Sequence, residues 1–558
     1  MTEITDNALV KKDKARIKDT AEWHESRKYT PEILETAKVI LFKVMDGADV
    51  FKTIRANPVP KRGNVAKHAL VKVYRDLVAS GEIAENPSLL SKIRMKPTRT
   101  LSGVTTVTVL TEPFPCPGNC IFCPDDSRMP KSYLPDEPGA ARAFQNNFDP
   151  YLQVQSRLTA YEAVGHPTEK IELLILGGSW TCYPDEYQNW FIQRCFDAMN
   201  GSDSSDLLSA QKKNETAKHR NVGLVVETRP DEITVERLKQ LRLLGVTKIQ
   251  LGIQSLDDDL LRRNRRGHSV QQALDACALC RAAGFKLVMH WMPNLLGATP
   301  ASDHEDFLRL WKSADEGLGF CPDEIKIYPT QLLENSDLYQ EWTAGNYHPY
   351  ETETLVNLIA GVKPFIPPYC RVNRVIRDIP AHHIVAGSTR SSLRMDIQKH
   401  LLENGTECHC IRCREIRGQK VKAAELSLQD YVYQAASAEE HFLQFVTPDD
   451  KIAGYLRLSL PNAASPALGI QELEGAAIIR EIHIYGQSLP VGKEQTGAAQ
   501  HAGLGTRLIN RAAEIAQANG CQRLAVIAAI GTRKYYQSRG FSRAQYYMIK
   551  NLKKASEE

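Results

Sequence analysis

From about residue 104 onward, short β-rich runs alternate with longer amphipathic segments, and this alternation restricts the fold more than any other feature. Six runs have the composition of buried strands: VTTVTVL, IELLILGG, VGLVVET, KIQLGIQS, FKLVMHWMP and EIKIYPT. The segments between them, such as PDEYQNWFIQRCFDAMN and SVQQALDACALCRAAG, have apolar residues at helical spacing. Strands that alternate with helices pair in parallel, so the pattern predicts a parallel α/β sheet, either barrel or doubly wound, over residues 99–385.

Other predicted regions complete the chain of 558 residues. Residues 1–98 have helical periodicity and predict a helical module, and residues 201–220 predict a polar loop inserted in the sheet. Residues 386–425 predict a linker. Residues 426–558 predict a second α/β domain with strands in HFLQFVTP, AGYLRLSL and AIIREIHIYG.

The formal net charge of +4 hides an uneven distribution. Residues 1–100 contain 20 Lys and Arg against 13 Asp and Glu, whereas the rest of the chain contains 50 against 53. The surplus is largest over residues 51–100, which contain 11 basic and 3 acidic residues and end in the arm KIRMKPTRT. Such asymmetry predicts that the N-terminal module binds a polyanion. The alternative is that these charges form only a solvated helical face.

The 13 cysteines are distributed as unevenly as the charges. Seven are scattered, and the other six form two triplets, one near residue 120 and one near residue 410. An odd total with two tight groups predicts metal or cluster ligation in a reducing compartment rather than a disulfide framework. The N-terminus lacks the apolar core of a signal peptide, and no run approaches 18 apolar residues. We therefore expect a cytoplasmic protein with no membrane partner.

The first triplet, Cys116, Cys120 and Cys123, has the spacing C-x3-C-x2-C and follows the first predicted strand. Three thiolates bind three irons of a [4Fe–4S] cluster and leave the fourth iron open for S-adenosylmethionine. The alternative is a partial zinc site. The pattern resembles the radical-SAM superfamily. That resemblance implies further contacts to S-adenosylmethionine near strand ends, where barrel chemistry occurs. The implied residues are Gly177, Gly178, Ser179, Glu227, Gln254 and Lys326. For the polar residues among them, ordinary structural hydrogen bonding is the alternative role.

The second triplet, Cys408, Cys410 and Cys413, occupies six residues of the linker and predicts a structural zinc. A tetrahedral zinc needs a fourth ligand, for which His382 and His383 are preferred. His400 and His409 are the alternative suppliers of that ligand. Free buried thiols and a second iron–sulfur cluster are alternatives to zinc itself.

The C-terminal domain contains the run QHAGLGT, which leads into the helix RLINRAAEIAQANG. Glycines at this point allow backbone N–H groups at a helix N-terminus to face an anion such as the pyrophosphate of coenzyme A. The strand REIHIYG precedes the run, and LAVIAAIG and RKYYQSRGF follow it. This order resembles GNAT-type N-acetyltransferases, and a non-binding α/β domain is the alternative.

A radical-SAM barrel joined to a GNAT domain resembles the catalytic-subunit family of Elongator, in its stand-alone bacterial or archaeal form, over nearly the whole chain. The matching segments include CPGNCIFCP, SYLPDEPGAARA, FDPYLQVQSRL, VETRPD, RVIRDIP and GTRKYYQSRGF. The chain departs from eukaryotic members in its shorter spacing between the first two cluster cysteines and in its CHCIRC triplet. It also has Ala528 and Ala529 where many members have Ser-Gly.

The resemblance implies that the protein adds a carboxymethyl-type group to C5 of the wobble uridine (position 34) of tRNA. The cluster would cleave S-adenosylmethionine to a 5′-deoxyadenosyl radical, which abstracts hydrogen from the acetyl methyl of acetyl-CoA. The acetyl radical would add to uridine C5, and thioester hydrolysis would release coenzyme A. Catalytic roles are implied for Lys170 and Tyr536, and acetyl-CoA contacts for Glu481, Ile482, His483, Ile484, Leu504, Gly505 and Thr506.

The same resemblance assigns partners. The basic module would hold phosphates of tRNA at its anticodon stem-loop, and an external electron donor would reduce the cluster. The oligomeric state is open, with a homodimer as one alternative. Two other functions compete with this one: a protein lysine acetyltransferase with a vestigial barrel, and a non-enzymatic tRNA-binding scaffold.

Overall fold

The structure, a computed structural model, describes residues 29–60, 62–417, 419, 421–486 and 503–552. The described chain divides into two compact units. The first contains the residues up to Arg99 together with Thr159–His166, and the second contains Thr100–Leu158 and the residues from Pro167 onward. The basic module predicted from the sequence falls in the first unit.

Four helices of the first unit follow the predicted helical pattern: α1 Pro31–Met45, α2 Val50–Ala56, α3 Lys67–Ala79 and α4 Pro87–Ile93. Polar side chains begin three of them, because the first N–H groups of a helix lack partners inside it. Thr30 accepts from the N–H of Ile33, for example, and Asp49 accepts from that of Lys52. The apolar faces of the helices form a common core.

Seven strands of the second unit form a parallel sheet whose spatial order is their order in the chain. Their bounds are β1 Thr105–Leu110, β2 Lys170–Leu176, β3 Arg220–Thr228, β4 Lys248–Gln254, β5 Lys286–Trp291, β6 Glu324–Ile327 and β7 Arg371–Arg374. Among the described residues β7 does not pair with β1, so the sheet is a partial barrel. The predicted parallel α/β fold is confirmed.

The helices of this part of the chain are α5 Pro138–Gln145, α6 Pro150–Ala163, α7 Asp185–Asn200, α8 Leu207–Asn214, α9 Val235–Leu244, α10 Asp258–Arg263, α11 Val270–Ala282, α12 Pro300–Arg309, α13 Leu338–Thr343, α14 Thr352–Val362, α15 Leu393–Glu403 and α16 Ile411–Arg414. The prediction of a loop over residues 201–220 is wrong, because α8 lies there with Asp206 capping its first turn. None of the helices in the described ranges is long and apolar enough to cross a membrane.

The C-terminal domain contains a second seven-stranded sheet. Its strands are β8 Ser427–Ala435, β9 Ala438–Val446, β10 Ile452–Pro461, β11 Ala476–Ile484, β12 Arg523–Val526, β13 Ser542–Arg543 and β14 Met548–Asn551. Two helices accompany it, α17 Leu504–Ala518 and α18 Arg533–Gln537. The neighbours β11 and β12 pair in parallel, whereas the other strands pair antiparallel.

The second sheet packs against the edge of the barrel at which the barrel strands begin. Arg480 of β11 donates to the carbonyl of Phe285, directly before β5, and to Asp323, directly before β6. Gly531, in the turn before α18, lies against Arg220 at the start of β3, where a Cβ would come within 2.7 Å of the Arg220 Cβ. The carboxyl ends of the barrel strands are therefore on the far side from the C-terminal domain.

Candidate active site

The first cysteine triplet lies in the loop after β1, at the carboxyl edge of the barrel. The N–H of Cys123 donates to the carbonyl of Cys120 at 3.1 Å, and the N–H of Gly118 donates to the sulfur of Cys116 at 3.4 Å. A guanidinium nitrogen of Arg266 donates to the sulfur of Cys120 at 3.7 Å. Burial raises the pKa of Cys123 to about 11, and the charges of Cys120 and Cys116 contribute to that rise. The three thiols therefore share one site.

This donor set fits an iron–sulfur cluster better than a single ion. Among the described residues the three sulfurs do not lie within 4.8 Å of one another. A cluster accepts this wider arrangement because each thiolate binds a different iron. Arg229 also adjoins the loop, because a Cβ at Gly118 would overlap its guanidinium. Burial lowers the pKa of Arg229, whereas its ion pair with Asp231 and then the charges of Cys120 and Cys116 raise it.

Gly177 and Gly178 follow β2 and lie beside the segment that leads from β1 to the cysteines. Their φ angles are +135° and +92°, in the region that favours glycine. A Cβ at Gly177 would overlap the hydroxyl oxygen of Thr111. Tyr183 holds the two segments together, because its hydroxyl lies 2.7 Å from that of Thr111 and 3.2 Å from the carbonyl oxygen of Gly177. Ser179 is buried directly after them.

Glu227 and Lys326 meet inside the barrel near its carboxyl edge, together with two residues that sequence reasoning missed. Lys326 donates to the amide oxygen of Gln250, and a ring nitrogen of His290 lies 3.0 Å from the same oxygen. The other ring nitrogen of His290 lies 4.0 Å from Glu227. Burial raises the pKa of Glu227, and the charge of Lys326 opposes that rise. Gln250 and His290 were detectable as polar residues alternating within apolar strands.

Gln254 ends β4 with a φ angle of +74°, which is strained for a residue with a side chain. Its amide oxygen is buried and has no hydrogen-bond partner among the described residues. Strain and an unpaired buried acceptor together are typical of a ligand site. The observation fits the predicted contact between Gln254 and S-adenosylmethionine.

In the C-terminal domain β11 and β12 separate before β11 ends. The last paired residues are Ile479 and Val526, whereas β11 continues along β10 to Ile484. The predicted acetyl-CoA residues Glu481, Ile482, His483 and Ile484 make up this continuation. Backbone beyond the point of separation can pair with an extended ligand such as the pantetheine arm of coenzyme A.

Side chains alternate along the same strand. Glu481 points toward the barrel, where it pairs with Lys286 of β5. His483 is half-buried, its Nε2 has no hydrogen-bond partner in the described chain, and burial lowers its pKa to about 4. Ile482 faces the opposite way, because a Cβ on Gly505 of α17 would lie 3.7 Å from its terminal carbon. The imidazole of His483 therefore lies on the same side of the strand as Glu481, neutral and stacked on Tyr455.

Helix α17 begins beside the separation of the two strands, with Gly503 at a φ angle of +66° as its N-cap. Leu504 and Gly505 are buried, and the hydroxyl of Thr506 accepts from Arg539 at 3.2 Å. The prediction for Gln500, His501 and Ala502 lies outside the described residues. The N–H groups of the first turn can bind an anion.

Tyr536, a predicted catalytic residue, is buried on α18. Its ring packs edge-on against Phe541 at 5.6 Å and against Tyr535 at 5.3 Å. Burial raises its pKa well above the ordinary tyrosine value, and the charges of Tyr535 and Glu481 add to the rise. The phenol therefore stays protonated and can donate a hydrogen bond at neutral pH.

Lys170, the other predicted catalytic residue, begins β2 at the amino edge of the barrel. Its Cα partner in β3 is Arg220, which in turn adjoins Gly531 of the C-terminal domain. Burial lowers the pKa of Lys170, and Arg220 lowers it further, while Glu169 opposes the shift. Lys170 thus lies at the edge next to the acetyltransferase domain and at the far end of β2 from Gly177.

The linker triplet fits a single metal ion. The ligand atoms of Cys408, Cys410 and Cys413 lie within 4.8 Å of one another, and the sulfurs of Cys410 and Cys413 are 3.7 Å apart. Tetrahedral Zn–S bonds of about 2.3 Å place sulfurs roughly 3.8 Å apart. The other two thiols hold the pKa of Cys410 well below its usual value by hydrogen bonding, and the buried Lys363 contributes to the effect. The spacing of the three sulfurs therefore fits a tetrahedral zinc site.

The assignment of His382 or His383 as the fourth zinc ligand is wrong. Both rings contact Asp136 instead, at 2.9 and 2.7 Å, and within the described chain neither joins the cysteine group. The chain between the histidines and the triplet contains α15, so the sequence spacing did not bring them together. A further buried thiol, Cys370, adjoins the triplet: its carbonyl accepts from the N–H of Ile411 at 2.9 Å. Its pKa is raised by burial and then by Cys410.

The first unit presents basic side chains to solvent. Arg62, Lys96 and Arg99 are exposed, whereas Lys61 lies outside the described residues. Lys67 differs from them, because its ammonium donates to the carbonyl of Lys92 at 3.0 Å and lies 4.3 Å above the ring of Phe51. The exposed arginines are therefore better phosphate contacts than Lys67.

Three family profiles match the chain. They are the radical SAM superfamily over residues 115–310, the Radical_SAM C-terminal domain over residues 322–403 and the acetyltransferase (GNAT) family over residues 411–541. A tRNA uridine(34) acetyltransferase of Dehalococcoides mccartyi is 41% identical over 461 residues, which cover 82% of this chain and 99% of the relative. Elongator complex protein 3 of Danio rerio is 34% identical over 542 residues, with coverages of 93% and 97%.

A solved structure has the same fold. The archaeal Elp3 of Methanocaldococcus infernus, lacking its N-terminal residues 1–46, aligns with a TM-score of 0.71 and 35% identity. The alignment covers 81% of this chain and 99% of that one. The chain therefore belongs to the family of tRNA uridine(34) acetyltransferases and Elongator complex protein 3.

Proposed function

We propose that this protein modifies C5 of uridine 34 of tRNA, using S-adenosylmethionine and acetyl-CoA, and leaves a carboxymethyl-type group there. Relatives that match nearly their whole length to this chain have the name tRNA uridine(34) acetyltransferase. The observation that carries the proposal is the placement of two candidate cofactor sites on opposite edges of one barrel. A plain acetyltransferase needs only the second site.

Residues at the carboxyl edge would hold the radical-generating cofactors. When bound, a [4Fe–4S] cluster with S-adenosylmethionine supplies a carbon radical that abstracts hydrogen. The first cysteine triplet would hold the cluster, and Arg266 would balance its charge. The backbone at Gly177 and Gly178 and the unpaired amide oxygen of Gln254 would orient the methionyl group.

Residues at the amino edge would hold acetyl-CoA. Backbone groups of β11 beyond Ile479 would pair with the pantetheine arm, and the first turn of α17 would bind the pyrophosphate. Tyr536 would donate a hydrogen bond to the thioester oxygen and stabilise the negative charge that develops there on hydrolysis. Lys170 would add a positive charge at the same edge.

The inward face of the barrel between the two edges is polar, unlike the packed apolar interior of an ordinary barrel. Along β4 the inward positions are Lys248, Gln250, Gly252 and Gln254. Lys248 donates to Glu172 at 2.6 Å. A residue rise of about 3.3 Å puts roughly 20 Å between the two ends of β2. This polar face supports the proposal, because the acetyl group and the radical must meet between the edges.

The first unit would hold the tRNA at its anticodon stem-loop through exposed basic side chains. Such binding is electrostatic and weakens as salt rises, because counterions are released from phosphates. A tRNA substrate and a cluster that needs reducing surroundings both favour a cytoplasmic location, which belongs to this proposal. For the linker, we propose zinc bound by the three thiols of the triplet, with its fourth position open to a further ligand.

The reaction itself is tested with reduced protein, S-adenosylmethionine, tRNA and acetyl-CoA deuterated in its methyl group. We expect nucleoside mass spectrometry to show a modified uridine that retains deuterium, and 5′-deoxyadenosine that has gained it. A tRNA with cytidine at position 34 is the matched control and should stay unmodified. Acetyl-lysine without a modified nucleoside would instead support a protein lysine acetyltransferase.

A further inference from the structure

A second group of metal-ligand side chains lies outside the cofactor sites and the linker triplet. It consists of Asp136, His382 and His383, whose ligand atoms all lie within 4.8 Å of one another. The Nε2 of His383 is 2.7 Å from one carboxylate oxygen of Asp136, and the Nε2 of His382 is 2.9 Å from the other. Both imidazoles thus direct the same ring nitrogen at one carboxylate.

The group joins two segments of the second unit that are far apart in the sequence. Asp136 lies between the cysteine loop and α5, and the histidines form the single turn Ala381–His383 after β7. Arg377 holds these segments together independently, because it donates to the carbonyl of Ser132 at 2.7 Å and to the carboxylate of Glu137 at 3.0 Å. The three ligand side chains are therefore held in place by contacts other than their own.

Solvent reaches the group from one side. The side chain of Asp136 is 7% exposed, whereas those of His383 and His382 are 32% and 63% exposed. The carboxylate therefore forms the base of the group, and the rings form its outer wall. A cation entering from solvent would meet the three ligands together and keep its remaining positions on the open side.

We propose that Asp136, His382 and His383 bind a divalent transition-metal cation. Two imidazole nitrogens and one carboxylate oxygen are a ligand set for zinc or ferrous iron, and three protein ligands leave positions for water or an anionic oxygen. The two imidazoles bind the cation as neutral rings through Nε2, with the proton on Nδ1, so the cation replaces the hydrogen bonds to Asp136. The linker triplet, with three thiolates, is a different kind of site.

The test counts metal in the full chain with its iron–sulfur cluster in place. The protein is equilibrated with zinc at buffered free concentrations, and zinc and iron are measured by plasma mass spectrometry. We expect the wild type to bind one equivalent of zinc more than Asp136→Asn or the double variant His382→Ala, His383→Ala. Cys408→Ser should lose the other equivalent. His348→Ala changes an exposed histidine outside the group and should bind as the wild type does.

One result overturns the proposal: zinc uptake by the double variant equal to that of the wild type throughout the titration. The group would then be a hydrogen-bonded pair of histidines on an aspartate. If the double variant does not fold, His382→Gln decides, because this ring is the most exposed of the three side chains. Its zinc affinity should fall by more than the ~10–100-fold that loss of an outer partner costs, with the iron content unchanged. This readout does not depend on the proposed function.

Discussion

Arg480 of β11 and Asp323, the residue before β6, are joined by two hydrogen bonds of 2.7 Å, and neither side chain is exposed to solvent. The carboxylate also lies 3.3 Å from a guanidinium nitrogen of Arg457. Glu440 accepts from the other side of Arg480 at 2.7 Å. This buried network fixes the acetyltransferase sheet to the amino edge of the barrel. The stability of both parts therefore depends on it.

Replacement of Asp323 by Ala should destabilise the protein strongly. Two buried guanidiniums would lose a partner, and breaking a buried ion pair from one side costs about 3–5 kcal/mol. Denaturant unfolding followed by circular dichroism measures the change in the free energy of unfolding. Asp337→Ala is the control, because its pair with Arg265 is about half exposed and should contribute less than about 1 kcal/mol. Equal losses in both variants would contradict the network's role.

Stability should depend on pH through His441. Its Nδ1 lies 2.7 Å from Asp430 and its Nε2 lies 3.2 Å from Glu439. Burial lowers the pKa of His441, but the two carboxylates outweigh it and raise the pKa overall. The stabilisation is therefore complete below the unfolded value of about 6.5 and is lost as pH rises through the folded value. His441→Gln should cost on the order of 1 kcal/mol at low pH and progressively less in alkali.

Thermal unfolding of the wild type and of His441→Gln, from below about pH 6.5 to alkaline pH, shows in which direction the stability difference changes. A difference that grows with rising pH would contradict the raised pKa. His348→Gln changes an exposed histidine elsewhere in the chain and is the control substitution.

Cys116→Ala should abolish the formation of 5′-deoxyadenosine, because two thiolates cannot hold the cluster that cleaves S-adenosylmethionine. Iron content should fall with it, while acetyl-CoA affinity stays at the wild-type value. Cys182→Ala is the control, because this thiol is outside the triplet; burial raises its pKa to about 11, and the charges of Glu232 and then Cys116 add to the rise. If the Cys182 variant lost iron to the same extent, the assignment of the cluster to Cys116, Cys120 and Cys123 would be wrong.

Gly505→Ala should weaken acetyl-CoA binding without affecting cleavage of S-adenosylmethionine. A Cβ at this position would overlap the hydroxyl of Tyr535, so either that ring or the first turn of α17 must move. Calorimetric titration with a non-hydrolysable acetyl-CoA analogue measures the affinity. Gly139→Ala, whose Cβ would make an ordinary contact of 3.5 Å with Leu110, should leave binding unchanged.

Arg62→Glu combined with Arg99→Glu should weaken tRNA binding and reduce its dependence on salt. Each lost phosphate contact lowers the slope of log affinity against log salt by about 0.7–0.9, so the pair should lower it by about 1.4–1.8. Filter binding at several salt concentrations gives the slope. The exposed pair Lys312 and Lys399 of the second unit, changed to Glu, matches the change in charge and should leave the slope as it is.

The strands that the sequence predicted are those in which apolar, buried residues make up at least one face. The runs of β1 to β6 are apolar because helices cover a parallel sheet, and such runs are visible without structural knowledge. Strand β7 reads RVNR and has no apolar run. Strand β8 is exposed along most of its length, so burial did not select its residues either.

The site was predictable where chemistry imposes a local pattern, as in the first triplet and the glycines after β2. Side chains that meet through the tertiary fold were harder to predict. His382 and His383 are about 25 residues from the linker triplet in sequence, yet the turn after β7 places them beside Asp136, about 245 residues earlier. Sequence spacing limits how far apart two residues can be, and it does not determine which of several candidates is the neighbour.

The direction in which β2 runs across the barrel has a mechanical consequence. Lys170 begins the strand at the acetyltransferase edge, and Gly177 follows it at the edge with the cysteines. An extended chain is close to its full length and can hardly be stretched. A rotation of the C-terminal domain against the barrel would therefore leave the distance between Lys170 and Gly177 unchanged, because the extended backbone between them fixes it.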